Sequence, residues 1–310
     1  MTTNHVQIEN VGSDKMLSVQ ICSHNRKNLL REVIYSLSDQ TYPKDKFEII
    51  IVDDGSTDGT DAMVEEVRSP VDLVFIKQAK EGLAAGRNKG ILKARGAIIL
   101  FIDDDVLADP RLVEEHVRFH ETHSGCVVKG WVNHVPIMKR PSKPRWTIRD
   151  YSKAFFWTSN VSVEKKYLEQ VGLFDEDFKE YGWEDLELGL RLKALGLKSV
   201  VHPTAIGFHY KKAATGADLS SMLVQAEAKG RTAVVFIQKN RGWRARLSTG
   251  IYPLRMFLDK ALSNRFFMRL CKQFIPQNGK PLSAWSQFCA KSLTTARYFD
   301  AIRKALRTST

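Results

Sequence analysis

Three adjacent carboxylates, Asp103, Asp104 and Asp105, follow directly on the apolar run Ala97–Ile102. Neighbouring carboxylates repel one another, and a hard divalent cation relieves that repulsion. Mg²⁺ or Mn²⁺ held by one or two carboxylates plus substrate phosphates is the usual arrangement. A solvated acidic turn is the plainer alternative; a buried strand just ahead of the triplet favours the metal. A second acidic cluster, Asp53-Asp54-Gly55-Ser56-Thr57-Asp58, follows the run Phe47–Val52. A carboxylate at a strand end can accept hydrogen bonds from a base N–H or from ribose hydroxyls. The same residue types also cap helices. The stretch Gly82-Leu83-Ala84-Ala85-Gly86-Arg87-Asn88-Lys89-Gly90 lets a helix begin close to a ligand, and Arg87 offers a fork of donors for phosphate. It is neither a GxxxxGK[ST] loop nor a GxGxxG turn. Finally, Gly182-Trp183-Glu184-Asp185 opens a helical pattern, where the dipole favours negative charge. Asp185 there reads as a general base, and Trp183 as a flat surface for a sugar ring.

The elements that must carry these residues alternate. Leu17–Cys22, Phe47–Val52, Val71–Ile76 and Ala97–Ile102 are short apolar runs that read as strands. Between them, 28–38, 60–67 and 83–94 have helical spacing. Strand and helix alternating at this interval predict βαβ units and a mostly parallel α/β sheet. Ligands of such sheets bind outside the carboxyl ends of the strands, where three of these runs deliver polar or acidic clusters. Beyond Pro110, the pattern predicts a helix over 112–122, a Pro-rich basic loop over 139–149 and a strand over 155–163. It then predicts helices over 165–171 and 182–195, with short strands at 200–201 and 206–208. His116, His120 and His123 share one helix face. Without a glutamate base the spacing favours a solvated face over a zinc site.

In this order, a strand into Ser23-His24-Asn25-Arg26, then VDDGSTDGT, GLAAGRNKG, a buried strand into DDD, VGLFDE, WEDLELGLRL and a final Phe208-His209-Tyr210 resemble the family 2 glycosyltransferases of the GT-A fold. The resemblance runs from Leu17 to His209. It implies a nucleotide-sugar half over 17–109 and an acceptor half over 110–217, preceded by a polar segment, 1–16, and followed by a helical basic region, 218–310. It implies that Asp54 pairs with the base, uracil foremost, supported by Asp53, with Ser23 and Arg26 lining the pocket. Arg87 would approach the diphosphate, and Asp103 and Asp104 the ribose and sugar. Asp105 and His209 would hold Mn²⁺ or Mg²⁺. The family inverts the anomeric carbon, with Asp185 as base and Glu184 and Trp183 shaping the acceptor side. The implied activity is transfer of one sugar from a UDP-hexose or UDP-N-acetylhexosamine to a hydroxyl of a glycan or lipid-linked acceptor. The sequence departs from the family in Cys22-Ser23-His24-Asn25-Arg26, where many members have Pro-Thr-Tyr-Asn-Arg. It also carries Gln238-Lys239-Asn240-Arg241-Gly242-Trp243 in place of the QxxRW of processive synthases. The second departure implies single-sugar transfer. A nucleotidyltransferase, which also needs an acidic metal site and a nucleotide pocket, is the alternative enzyme.

Charge divides the 310 residues unevenly. The net charge is +12, yet residues 229–310 hold 17 basic and only two acidic residues, Asp259 and Asp300. The remaining residues are slightly acidic, so the basic character belongs to the C-terminal quarter alone. Within it, Ile251–Ile275 interleaves aromatic and apolar residues with Arg and Lys. That pattern suits an anionic membrane surface, or equally a helical subdomain with a solvated basic face. Nucleic-acid binding through the same region is the weaker alternative, and no nucleic-acid partner is expected. Four scattered cysteines without a CxxC pair fit a reducing compartment. Met1–Lys15 has no apolar leader segment, and no run approaches the roughly 18–20 apolar residues of a membrane span. A cytoplasmic protein, at most peripheral at the inner face of a membrane, is the expectation.

Overall fold

The computed structural model describes residues 16–147, 150, 152–276 and 279–308. The expectation for Met1–Lys15 lies outside the described residues. β1 (Leu17–Ser23), β2 (Phe47–Asp54), β3 (Asp72–Gln78) and β4 (Ile98–Ile102) pair in parallel in the order β3-β2-β1-β4. α1 (Lys27–Ser38), α2 (Thr60–Glu66) and α3 (Leu83–Lys93) connect them. The continuous apolar runs of β2 and β4 arise because helices cover both faces. Ile49, Ile51, Leu100 and Ile102 join α1 residues such as Leu30 and Ile34 in one core. Ile50, Val52, Ile99 and Phe101 face Ala84 and Ile91 of α3 in the other.

The second half extends the same sheet. β5 (Val106–Ala108), α4 (Leu112–Thr122), β6 (Cys126–Val135), β7 (Asn160–Glu164), α5 (Lys165–Gln170), α6 (Glu184–Ala194) and β8 (Lys198–Tyr210) follow in sequence. The full sheet order is β3-β2-β1-β4-β7-β6-β8-β5. β7 runs antiparallel to β4 and β6, β6 parallel to β8, and β5 antiparallel to β8. The strand expected over 155–163 forms only from Asn160. The two short strands expected near 200 and 206 are one strand, β8. β5 and β6 were not foreseen. β6 escapes a hydrophobic reading because polar residues interrupt it, and the Lys129 and Asn133 side chains find their partners elsewhere in the fold. Lys129 Nζ donates to the carbonyls of Ser152 and Ala154 at 3.0 and 2.8 Å. Asn133 Oδ1 accepts from the Arg145 N–H at 2.8 Å. Gly130 lies at a register shift between β6 and β8, and a Cβ there would stand 2.2 Å from Asn160 Nδ2.

The histidine face of α4 is not solvated. It packs on β7, and His116 is fully buried. His116 bonds Asn160 Oδ1 through Nε2 at 2.9 Å and Ser162 Oγ through Nδ1 at 2.7 Å. His120 Nε2 lies 2.8 Å from the same Ser162 Oγ. One tautomer set satisfies the chain: His120 Nε2–H donates to Ser162, whose hydroxyl donates to His116 Nδ1, and His116 Nε2–H donates to Asn160. Only His123 is exposed, stacked on Phe119 at 4.4 Å. Burial pushes His116 down to about 3 and His120 down to about 4. Both lie below the unfolded-chain value of about 6.5, so the unfolded chain takes up protons first as the pH falls. Stability from this cluster is complete above about pH 6.5 and is lost as the pH drops toward the folded values. At about pH 5 each histidine costs on the order of 2 kcal/mol. Urea unfolding compared near pH 7.5 and pH 5 checks this. The midpoint should fall at the lower pH, and His116→Gln should flatten that dependence; an unchanged pH dependence in the variant counts against it.

From Leu219 the chain is helical: α7 (Leu219–Lys239), α8 (Trp243–Thr249), α9 (Pro253–Leu262), α10 (Arg265–Gln273) and α11 (Ala284–Thr308). α7 and α11 share a core through Ala233, Phe236, Ile237, Phe299 and Ile302, joined by Phe178 of the preceding segment. Ion pairs fasten the helices to that segment: Lys239 to Asp175 and Asp177, and Arg231 to Glu180. Among the described residues no helix is long and apolar enough to cross a membrane.

Candidate active site

β4 ends at Ile102 and delivers the acidic triplet to the carboxyl edge of the sheet. The three carboxylates differ in their partners, and two of them share Arg26. Asp103 accepts from Ser159 Oγ. Asp104 accepts from Ser23 Oγ at 2.7 Å and Arg26 Nη1 at 2.9 Å. Arg26 Nη1 also reaches Asp105 Oδ2 at 2.9 Å. Pairing of Val106 with His209 brings the imidazole over the triplet, and His209 Nε2 lies 3.3 Å from Asp105 Oδ1. Burial pushes Asp104 up to about 6 despite Arg26, and raises Asp103 as well. Asp105 is held below its ordinary value: burial opposes this, but the His209 hydrogen bond and charge, with Arg26, outweigh it.

Asp105 Oδ1 and His209 Nε2 converge on one point, a carboxylate and an imidazole donor that suit Mn²⁺ or Mg²⁺. Among the described residues no group of three or more His, Cys, Asp or Glu is arranged to hold a metal. A metal held there would take its other ligands from a bound phosphate or water.

The loop after β2 interlocks with the loop after β1. Asn25, at φ +54°, donates its N–H to Ser56 Oγ at 2.7 Å and accepts from the Thr57 N–H at 2.8 Å. Asn tolerates that left-handed conformation better than most residues. Asp53 is fully buried and accepts from the Ser56 N–H. Asp54 accepts from Gln78 Nε2 at 2.7 Å, the Glu81 N–H at 2.8 Å and the Gly82 N–H at 3.1 Å. Its carboxylate thus sits at the start of α3, where the helix dipole favours it.

The structure commits Arg87 differently from the sequence reading. Rather than facing a diphosphate, it is buried with the opening residues of α6. Its Nη1 reaches Glu184 Oε1 at 2.9 Å and Asp185 Oδ1 at 3.0 Å, and its Nη2 donates to Thr158 Oγ1 at 2.7 Å. Burial works against the Arg87 charge, but the Asp185 and Glu184 carboxylates outweigh it and raise its pKa. Glu184, 5% exposed, is raised by burial and by Asp185. Asp185 is 20% exposed, which makes it the carboxylate of the pair that solvent and a ligand can reach. Its Oδ2 accepts from both the N–H and the hydroxyl of Thr158, at 3.2 and 2.8 Å. Trp183, at φ +76°, holds an unusual conformation for a bulky residue. Its ring packs, partly buried, against other side chains. One contact is Phe236 at 5.5 Å, another the Lys229 ammonium at 5.4 Å, and its Nε1–H donates to the Lys229 carbonyl. Trp183 fastens α7 to α6.

Four residues at this edge were not singled out from the sequence. Thr158 and Ser159, adjacent in the chain, hold Asp185 and Asp103 respectively, and so join the two acidic clusters. His134 faces His209 across the β6–β8 pairing with rings 5.3 Å apart, and its Nδ1–H donates to Asp150 at 2.9 Å. Small hydroxyl residues after an aromatic run carry no periodic signal, so only their placement reveals them.

The family model described as Glycosyl transferase family 2 matches residues 18–174, just over half of the chain. The chain is 28% identical to the uncharacterized glycosyltransferase YfnE of Bacillus subtilis (strain 168), over 62% of this chain and 64% of that protein. It is 29% identical to the validoxylamine A glucosyltransferase of Streptomyces hygroscopicus subsp. limoneus, over 68% of this chain and 55% of that protein. The matched region thus spans less than two thirds of either relative's length. Among solved structures, the mannosyltransferase PcManGT from Pyrobaculum calidifontis, in complex with GDP-Man and Mn²⁺, superposes with a TM-score of 0.61 at 17% identity, over 95% of this chain and 88% of that one. TarS 1-349 of S. aureus in complex with UDP superposes at 0.54 and 19% identity, over 95% and 92%. Both likenesses place the α/β fold in the GT-A class. A sugar-transferase family model that takes in both acidic strand ends, on a fold shared with solved glycosyltransferases over nearly the whole chain, makes this protein a member of glycosyltransferase family 2.

Proposed function

We propose that this enzyme moves one sugar, with inversion, from a nucleotide-sugar to an acceptor hydroxyl. The donor is a UDP-hexose or UDP-N-acetylhexosamine, and the acceptor a glycan or a lipid-linked sugar. The observation that carries the reading is the Thr158-Ser159 bridge. It sets an accessible carboxylate, Asp185, beside the acidic triplet at one sheet edge, as a transfer between two bound substrates requires. The neighbours' ligands, GDP-Man in one and UDP in another, support a nucleoside-diphosphate donor.

Asp185 takes the proton from the acceptor hydroxyl, whose oxygen attacks the anomeric carbon from the face opposite the nucleotide. Arg87 holds the Asp185 carboxylate in place through its Nη1. Glu184 anchors Arg87 in turn, accepting from it and from the Gly182 N–H. Asp103 and Asp104 accept hydrogen bonds from sugar and ribose hydroxyls, and Asp53 and Asp54 shape the base pocket. Arg26, whose side chain is 44% exposed beside Asp104 and Asp105, replaces Arg87 as the cation that meets the diphosphate. Asp105 and His209 would hold a divalent metal, which when bound neutralises charge on the leaving diphosphate. We take 17–217 as the unit that carries these steps.

A panel of nucleotide-sugars tests the reading, with Mn²⁺, Mg²⁺ or chelator present. One donor should raise the melting temperature only when metal is present, because two protein ligands bind metal weakly without the diphosphate. Turnover should release a nucleoside diphosphate. Release of pyrophosphate instead would assign a nucleotidyltransferase, and donor stabilisation indifferent to chelator would remove the metal from the scheme.

A further inference from the structure

The C-terminal helices leave large apolar side chains in water. Phe266 and Leu270 of α10 and Phe274 just beyond it recur every four residues, one stripe of the helix. Phe266 is 79% exposed, and Phe274 is half exposed. The stripe continues onto α11. Phe274 meets Trp285 edge-on at 6.0 Å, and Trp285 stacks on Phe288 at 5.2 Å, with both α11 rings half exposed. Cys271, Cys289 and Leu219 form the buried core of this unit. Phe274, Trp285 and Phe288 touch one another, and all four rings reach solvent.

Cations frame this patch. Arg269, Lys272 and Lys291 are exposed, with no acidic partner among the described residues. Both carboxylates of 229–310 are already neutralised, Asp259 by Arg303 at 2.9 Å and Asp300 by Lys304 at 3.0 Å. We propose that Phe266, Leu270, Phe274, Trp285 and Phe288, with these cations, form a docking surface for an anionic lipid bilayer.

Aromatic rings favour the headgroup boundary, and flanking Lys and Arg meet anionic headgroups. A second copy of the chain fits poorly, since it would press two surfaces of the same sign together. Nucleic acid fits poorly too, because Trp285 and Phe288 cover one another's faces, which stacked bases would need. The patch is tied to the site through the Leu282 N–H, which donates to the Ala214 carbonyl at 2.9 Å, and through the bridge from Thr215 to Pro281. That segment leaves the end of β8, the strand that bears His209. A lipid-linked acceptor would thus be met at the bilayer; this last step rests on the transferase reading, whereas docking does not.

The test is flotation of the full chain with phosphatidylcholine vesicles, with and without about one third phosphatidylglycerol, at about 0.1 and 0.5 M salt. The protein should float with anionic vesicles at low salt and largely lose them at high salt. The double variant Phe266→Ser, Trp285→Ser should lower partitioning about tenfold or more. Its melting temperature should fall only slightly, since Phe266 faces water and half-exposed Trp285 gives up only its contacts with Phe274 and Phe288. No flotation at low salt, or flotation untouched by the variant, overturns the proposal. So does a dimer, seen by light scattering, that the variant dissolves, or retention on RNA or DNA that it abolishes. Donor stabilisation measured in parallel separates the two readings: its absence with flotation intact removes the transferase scheme and leaves docking standing.

Discussion

Asp185→Asn should lower turnover by about 10²–10⁴-fold, the range typical of a lost general base. Donor binding should stay close to that of the parent. The expectation follows from what the substitution keeps. An asparagine oxygen can still accept from the Thr158 N–H and hydroxyl, and Arg87 keeps its bond to Glu184. What disappears is the lone pair basic enough to take a proton from the acceptor hydroxyl. Measuring kcat at saturating donor and acceptor, beside donor-induced thermal stabilisation, separates chemistry from binding. A kcat within a few-fold of the parent would remove Asp185 from the role of base.

Arg87→Met should destabilise the protein by about 3–5 kcal/mol, as breaking a buried ion pair from one side does. In a chain of this size that is a melting-temperature drop on the order of 10 °C. The guanidinium is nearly as buried as Glu184, and it is the cation set against both Glu184 and Asp185. Without it, two adjacent carboxylates face each other, one of them, Glu184, almost fully buried. Glu184 already sits above its ordinary pKa through burial and Asp185, with Arg87 pulling the other way. Adding Glu184→Gln to Arg87→Met should recover part of the lost stability, because it removes one of the two unmatched charges. Turnover should be low in both variants, since Asp185 loses the guanidinium that holds its carboxylate in place. An unchanged melting temperature in Arg87→Met would mean that this pair contributes nothing net.

β2 and β4 were legible because both of their faces are covered, and the helices between the strands because their apolar residues recur at helical spacing. A strand covered on both faces must be apolar at every position, as Ile98–Ile102 is, and such a run stands out in one dimension. The acidic clusters were legible for a related reason: polar residues can only follow such a strand where it leaves the core. β6 was not legible, because Lys129 and Asn133 belong to a strand only once distant carbonyls and amides satisfy them. His116 shows the opposite error. A histidine repeat on an otherwise polar helix reads as solvated, and only Asn160 and Ser162, contributed by β7, make burial affordable.

The same division runs through the site. Residue order and type alone established the family resemblance, the sheet edge that collects Asp53, Asp54 and the Asp103–Asp105 triplet, and the separation of a basic C-terminal quarter from a slightly acidic remainder. These follow from local pattern: apolar runs, helical spacing and charge counts need no partner to be read. The fate of Arg87 needed three dimensions. It meets Glu184 and Asp185 across 97 and 98 residues, and Thr158 across 71. Nothing in a Gly- and Ala-rich helix start distinguishes an arginine that holds phosphate from one that neutralises two carboxylates. Trp183 likewise looks like a free ring until Phe236 and Lys229 pack against it. Pairing of charges and stacking of rings depend on distances between segments far apart in the chain, which only the packed fold sets.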